Sequence, residues 1–448
     1  MEDKPVIVIG AGCAGLAAAW TLKKAGADFL VLEAGDRPGG RCWTMRRDGF
    51  LLPIGASFTE MQWEVTHRFI RELGLEREAH HQKSLKVAFW RNGRRHYLFK
   101  GTLTEMAGAL PEMLRFRGMP FKTYPQLVRL GLAMHRHMRR LDPIVRDFRP
   151  LLGLGEISCA DFSLEHGGPE VLDHVISPVV GTMVLARPEE VSVAHLIALV
   201  FLAGGVCMME NCMGSINEGL YERVKDHVRL SMPVDRVVLE DGRVRGVETR
   251  EGFIEADRVI CATDAVAARK IIPDLPESIR RPLETCRYSS TSTYIFALER
   301  KITPDRLVAT LIPRGERSIL SALIEKAGVA MRTAPEGAGL MYAYTAGWRD
   351  GELGRLSPEE RRRVVIREVQ RFWPEFPDQP LFTECIRWDR AINLESPGQF
   401  PAVHRFLEHH YRDVRGLYLA GEYLFLIACT EGGFATGERA ARMVLDDL

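Results

Sequence analysis

With 448 residues, 46% hydrophobic and 27% charged, the chain can build two or three structural units around a large core. A formal net charge of +1 gives no overall charge that recruits nucleic acid, and nine scattered cysteines without a C-x-x-C pair suit reduced thiols better than a disulfide framework. No run reaches the roughly 18 continuous apolar residues of a membrane span. The chain opens on Val6-Ile7-Val8-Ile9, a buried strand that runs into Gly10-x-Gly12-x-x-Gly15. A helix from Leu16 to about Ala25 follows, then a strand ending Leu30-Val31-Leu32-Glu33. The strand leaves no room for a secretory leader, so the expected location is the cytoplasm, where the thiols stay reduced.

The spacing carries chemistry. Gly10 permits a tight reversal, Gly12 lets backbone N–H groups approach a pyrophosphate, and Gly15 lets the helix pack close to the strand. The helix points its positive end at the phosphates, and Glu33 accepts the two ribose hydroxyls of an adenine dinucleotide. Arg37-Pro38-Gly39-Gly40-Arg41 narrows the dinucleotide to FAD. Cys13, inside the loop, reads as a small residue beside the cofactor, with a nucleophile as the sharper alternative.

Further along, Lys86-Val87-Ala88-Phe89-Trp90 and His96-Tyr97-Leu98-Phe99 read as a hairpin turning at Asn92-Gly93. Helical patterns dominate residues 102–227. Within them Leu127, Leu130, Met134, Met138 and Leu141 make one stripe, with Arg129, Arg136, Arg139 and Arg140 off it. That helix is either a membrane-surface helix or an ordinary amphipathic helix with a solvated basic face. Residues 193–209 form the longest apolar stretch, read as a buried helix or as a wall of a substrate channel. Strands follow at 228–230, 234–239, 244–249, with a tight turn at Asp241-Gly242, and at 257–263. More strands are expected at 291–298, 307–312 and 340–345. Ser357 caps a helix through Phe372, with Pro358 and two glutamates in its first turn. A strand at 417–420, a loop Glu431-Gly432-Gly433-Phe434-Ala435-Thr436-Gly437 and a last helix from about Gly437 close the chain.

These pieces resemble the flavin-containing amine oxidase superfamily, in its protoporphyrinogen oxidase and carotenoid desaturase branch. The resemblance rests on Gly10 to Gly15, Glu33 to Arg41, Gly55-Ala56-Ser57, the Val234 strand, Cys261-Ala262-Thr263 and Leu417 through Gly437. Its branch-specific part is Arg187-Pro188-Glu189-Glu190 and Trp388-Asp389-Arg390-Ala391-Ile392. It implies an α/β fold: a Rossmann-like FAD-binding domain (1–75, 210–275 and 410–448) interleaved with a mixed-sheet substrate domain (76–100 and 276–409) and a helical subdomain (101–209). By the resemblance, Gly10, Gly12, Ala14 and Gly15 hold the pyrophosphate and Glu33 and Ala34 the ribose. Gly39, Gly40 and Arg41 reach the diphosphate and ribityl side, and Gly55, Ala56 and Ser57 one edge of the isoalloxazine. Val234 contacts adenine through its backbone, Ala262 lies in the second FAD segment, and Gly421 and Glu422 meet the ribityl or phosphate region. Gly433, Phe434 and Ala435 approach the pyrimidine end.

Three departures stand out. Pro53 precedes Ile54-Gly55 where relatives often carry an acid, and Glu422 stands where an Asp is usual. Residues 288–298 hold no lysine where many amine oxidases place one beside flavin N5, which turns the reading toward desaturation of an apolar or cyclic substrate. The expected function is FAD-dependent hydride removal from a hydrophobic, cyclic or amine-bearing small molecule, with oxygen or another acceptor reoxidising the flavin. The alternatives are an isomerase or mutase running on reduced flavin, and a non-catalytic FAD-binding protein. A second G-x-G-x-x-G for NAD(P)H is absent from the sequence. Tyr344, Trp388 and Tyr423 are candidate ring-facing aromatics and His404 a candidate base, with a packed or solvated role open for each. The histidine pairs lack metal-site spacing, so no metal is expected. The expected partner is an apolar or amine-bearing small molecule and not nucleic acid, with peripheral membrane contact following only from the membrane-surface reading of the basic helix.

Overall fold

The computed structural model describes residues 4–82, 84–100, 117–141, 147–202, 205–327 and 332–448. Five short strands form a parallel sheet in the order Val228–Arg229, Phe29–Leu32, Val6–Ile9, Val259–Cys261, Leu417–Leu419. Most of their side chains are buried, as a parallel sheet covered on both faces requires. The N-terminal strand therefore lies one strand away from the last one, with residues 259–261 between them. Helices Cys13–Lys24 and Thr430–Asp446 share the core of this sheet with the antiparallel strands Val234–Glu240, Arg243–Thr249 and Gly252–Glu255. Asp241 and Gly242 turn the first of these hairpins with positive φ (49° and 70°). The third strand of that sheet has no counterpart among the expected strands, because Gly252 and three exposed or half-exposed residues leave no apolar run.

A mixed seven-stranded sheet stands beside it, in the order Phe382–Trp388, Thr291–Leu298, Gly339–Thr345, Leu320–Glu325, Leu307–Leu311, Leu85–Arg91, Arg94–Lys100. All pairs are antiparallel except Leu307–Leu311 with Leu85–Arg91. One face packs Phe296, Leu323, Met341 and Ala343 against Val365, Val369 and Phe372 of helix Pro358–Phe372. That helix starts where expected. Ser357 Oγ accepts from Glu360 N (3.3 Å), and the Glu360 carboxylate accepts from Ser357 N (2.8 Å). Ser357→Ala is expected to cost about 1 kcal/mol locally, measured as faster amide exchange over residues 359–363. The opposite face meets the hairpin Cys42–Arg47/Phe50–Gly55 through Phe50, Leu52 and Ile54.

The helices Cys159–His166, Ser177–Met183 and Val193–Leu202 form a third cluster with Leu426 and Ile427. Val193–Leu202 is the buried helix of the plainer reading. His195 is satisfied within it, through a ring-nitrogen hydrogen bond to Leu426 O (2.9 Å). The helical stretch is interrupted by strand Val206–Met209, which pairs with Thr59–Glu60 and Ala79–Gln82. Residues 101–116 and 142–146, part of the expected helical subdomain, lie outside the described residues. No helix among the described residues is long and apolar enough to cross a membrane.

Candidate active site

The glycine turn does what its spacing requires. Gly10 has φ +98°, and a Cβ on Gly15 would lie 1.8 Å from Gly10 O, so only glycine lets helix Cys13–Lys24 sit this close to the strand. A Cβ on Gly12 would instead point into open space, and Gly40 (φ +54°) fronts the same loop with Gly12 Cα as its nearest neighbour. Gly12 caps the helix without a side-chain bond, which leaves first-turn N–H groups directed into that space.

The last helix brings a second N-terminus to the same place. It begins at Thr430, not near Gly437, so Gly432 and Gly433 belong to its first turn and not to a loop before it. Paired glycines ordinarily break a helix, which is why the sequence points to a loop here. Packing overrides this, because a Cβ on Gly433 would sit 3.1 Å from Cys13 Cβ and one on Gly437 2.0 Å from Ala14 O. Cys429 Sγ accepts from Gly432 N (3.4 Å), and Thr436 Oγ1 donates to Gly432 O (2.7 Å) and accepts from Gly421 N (2.9 Å). Buried Glu431 accepts from Val65 N (3.1 Å), Thr66 N (2.8 Å) and Thr66 Oγ1 (2.8 Å), which ties this turn to the start of helix Glu64–Leu73. Two adjoining helix N-termini make a strong anion cradle, and the open space at Gly12 fits a diphosphate. Phe434 turns its ring into the core against Phe69 (5.4 Å), so its approach to a ligand would be through the backbone. Ala435 is half-buried beside it.

Around this cradle the other expected residues gather. Glu33 accepts from Ala11 N (2.6 Å) and Gly35 N (2.7 Å), with Ala34 between, and its remaining lone pairs suit ribose hydroxyls. Gly39 N donates to Ala11 O (2.8 Å). Arg41 pairs with Glu422 (2.6 Å) and donates to Ala391 O (3.2 Å). Burial opposes its charge, and Glu422 more than offsets this, so the guanidinium stays protonated. Ala56 N donates to Arg41 O (3.1 Å), and a Cβ on Gly55 (φ +83°) would lie 1.9 Å from that oxygen. Ser57 Oγ donates to Gly55 O (3.1 Å). The hairpin thus returns Gly55, Ala56 and Ser57 to Arg41 because Cys42 and Gly55 are register partners. Ala262 N donates to Ile9 O (2.9 Å), Gly421 (φ +152°) follows strand Leu417–Leu419, and Val234 is buried at the start of its strand.

Of the four candidate reactive side chains, two share a wall. Tyr344 and Trp388 lie on the face of the seven-stranded sheet that meets the hairpin, with Tyr342 on the same face (Tyr342–Tyr344 centroids 6.2 Å apart). Tyr423 is fully buried in the core of the parallel sheet, and its ring carbons press on Gly421. His404 pairs with Glu408 (3.2 Å) on helix Gln399–His409. Sequence reasoning missed Lys326. It follows strand Leu320–Glu325 on the same face, as Ala322, Ile324 and Lys326 alternate opposite Tyr344, Tyr342 and Leu340. Its Nζ donates to Ser57 Oγ (2.6 Å) and lies 5.3 Å from the Tyr342 ring centroid. It is 4% exposed, and burial lowers its pKa to about 8. The strand parity was the available signal, but no strand is expected at 320–325 from the sequence. The nine cysteines are free thiols, and no metal-competent cluster occurs among the described residues.

Known proteins resemble this chain in sequence and in fold. The chain is 40% identical over 94 residues to the putrescine oxidase of Kocuria rosea (21% of this chain, 20% of that protein). It is 25% identical over 333 residues to the zeta-carotene-forming phytoene desaturase of Myxococcus xanthus (68% and 62%). These alignments thus span less than two thirds of either relative's length. The fold matches the cyclohexylamine oxidase of Brevibacterium oxydans IH-35A at a TM-score of 0.76 over 99% of both chains, with 19% identity. The sequence profile of flavin containing amine oxidoreductases matches residues 13–445. Glycine cradle, paired helix termini and a profile match over almost the whole length lead to one assignment: the chain belongs to the flavin containing amine oxidoreductase family, with FAD as its cofactor.

Proposed function

We propose that this FAD-dependent oxidoreductase oxidises an apolar, preferably cyclic small molecule, amine-bearing at one end at most. In this reading the diphosphate lies over Gly10, Gly12, Gly15, Gly40 and Arg41, the ribose at Glu33, adenine at Val234, and the ring between Gly55–Ser57 and the first turn of the last helix. Bound FAD supplies the hydride acceptor. The protein supplies the wall and the proton site. Ile295, Ala297, Ala322, Ile324, Tyr342, Tyr344 and Trp388 share the sheet face that looks onto the hairpin leading into Gly55, Ala56 and Ser57. Lys326 is the amine on that face, and Glu384, at its margin, is taken by Arg47.

That face is the observation that carries the reading. A lysine on an aromatic wall repels a dication and tolerates an apolar body. In this reading the neutral amine of Lys326 takes the proton that leaves as the substrate loses hydride, a role supported by its burial on the same face as Tyr342. Its pKa near 8 keeps a useful neutral fraction at physiological pH. Free thiols throughout suit a reducing cytoplasm.

Anaerobic mixing of the yellow holoenzyme with cyclohexylamine, polyenes, porphyrinogens and putrescine tests this. A cyclic or polyene compound is expected to bleach the flavin at least about tenfold faster than putrescine, the size of one poorly placed charge. Faster bleaching by putrescine than by every apolar compound would overturn the reading.

A further inference from the structure

The helix Thr123–Met138 is amphipathic in an unusual way. Its inward side buries Thr123, Leu130, Ala133 and Met134. Its outward side is not simply polar. Tyr124 (36% exposed), Val128 (62%) and Leu132 (56%) follow one another at four-residue steps along a single line, and Phe121 (72%), in the turn before the helix, stands beside Tyr124 with ring centroids 6.1 Å apart. Residues 117–141 contain no Asp or Glu and six Lys or Arg. Lys122 and Arg129 hold the helix to its own protein, through Glu170 (2.5 Å) and the carbonyls of Glu165 and His166. At the other end Leu132, His135, Arg136, Arg139 and Arg140 line a shallow depression.

We propose that this helix lies flat on an anionic lipid bilayer. The Tyr124-to-Leu132 line, with Phe121 beside it, enters the boundary between headgroups and acyl chains, and the depression ringed by Arg136, Arg139 and Arg140 receives lipid phosphates. Two features together select this partner. The arginine cluster is complementary to an anionic surface. Nucleic acid would pair with it too, but would leave Phe121, Tyr124, Val128 and Leu132 in water, whereas a bilayer interface covers both. The 16 residues span about 24 Å along the helix axis, which suits lying in the interface and falls short of crossing a hydrocarbon core of about 30 Å. The inference goes beyond the substrate reading and does not depend on it.

The test is co-sedimentation of the intact holoenzyme with phosphatidylcholine vesicles, with and without about 30% phosphatidylglycerol, at low and high NaCl. Anionic vesicles are expected to bind at least about tenfold more tightly than neutral ones, and the difference is expected to vanish near 0.5 M salt, roughly where screening acts within a few ångströms. Arg136→Glu with Arg139→Glu is expected to weaken anionic binding by about tenfold or more. Val128→Ser with Leu132→Ser is expected to weaken it while leaving the salt dependence in place. Equal binding to both vesicle types, no binding at low salt, or no effect of the charge reversals would overturn the proposal. So would a concentration-dependent dimer abolished by Val128→Ser with Leu132→Ser, since a second copy would then own the apolar line. The salt series uses the unmodified enzyme and decides the matter even where a variant folds poorly.

Discussion

Lys326→Met is expected to slow substrate-driven flavin bleaching by about 10²- to 10⁴-fold, the usual contribution of a positioned acid or base, and at the same time to stabilise the protein. The two effects have one cause. The buried amine of Lys326 has its pKa lowered from 10.5 to about 8. Above pH 10.5 it is neutral whether the chain is folded or not, and burial costs no protonation energy. As pH falls toward 8 the unfolded chain takes up a proton that the folded site resists, and stability is lost over that interval. Below 8 the loss is complete and constant, at most about 3 kcal/mol. Methionine has similar length and no charge, so denaturant unfolding of the variant should show a gain at pH 7 that disappears above pH 10.5. In the unmodified enzyme, the bleaching rate should rise with pH through about 8, because the neutral amine is the active form. A variant with an unchanged rate and the same pH profile would remove Lys326 from the chemistry.

Gly437→Ala is expected to yield a protein that loses its yellow colour and melts at a lower temperature. In an isolated helix, alanine is better than glycine by about 1 kcal/mol. Here the added Cβ would stand 2.0 Å from Ala14 O and 2.9 Å from Ala14 Cα, both backbone atoms of the neighbouring helix. Relief requires the two helices to separate, at about 1–3 kcal/mol or more, and in the proposed binding mode separation draws the first helix off the diphosphate and the last helix off the ring. FAD affinity is expected to fall by about 5- to 150-fold, as an overpacking strain of that size implies. Gly131→Ala is the control. It also lies within a helix, nothing stands within 4 Å of its added Cβ, and it should stabilise by about 0.5–1 kcal/mol with FAD retained. Measured FAD content and melting temperature separate the outcomes. Equal behaviour of the two variants would show that the helix seam is not the fulcrum of cofactor binding.

The readable parts of the chain were those with local causes. Gly10 and Gly15 announce a turn and a tight packing step because a Cβ at either would meet backbone, and Gly12 keeps the space in front of the helix open. Ser357 with Glu360, Asn92-Gly93 and Asp241-Gly242 fix a helix start and two hairpins through bonds and φ values that span four residues or fewer. What was not readable depended on distant partners. The last helix starts seven residues early because Glu431 is bonded to residues 65 and 66, and because Gly433 and Gly437 face Cys13 and Ala14. Lys326 was missed because its strand is defined by pairing with Gly339–Thr345, not by its own pattern.

By itself, then, the sequence determined the family and the cofactor, and it marked the glycine turn that the fold brings up to the last helix, since backbone approach and helix polarity are encoded within short segments. Tertiary structure alone decided which side chains share the sheet face that meets the Cys42–Gly55 hairpin. Tyr344 and Trp388 come together across the sheet while Tyr423 and His404 go elsewhere, and a lysine 269 residues from Ser57 becomes its hydrogen-bond partner. The physical reason is that strand register and burial are collective. A residue's neighbours across a sheet, and the low dielectric that lowers the pKa of Lys326, exist only once every strand is in place.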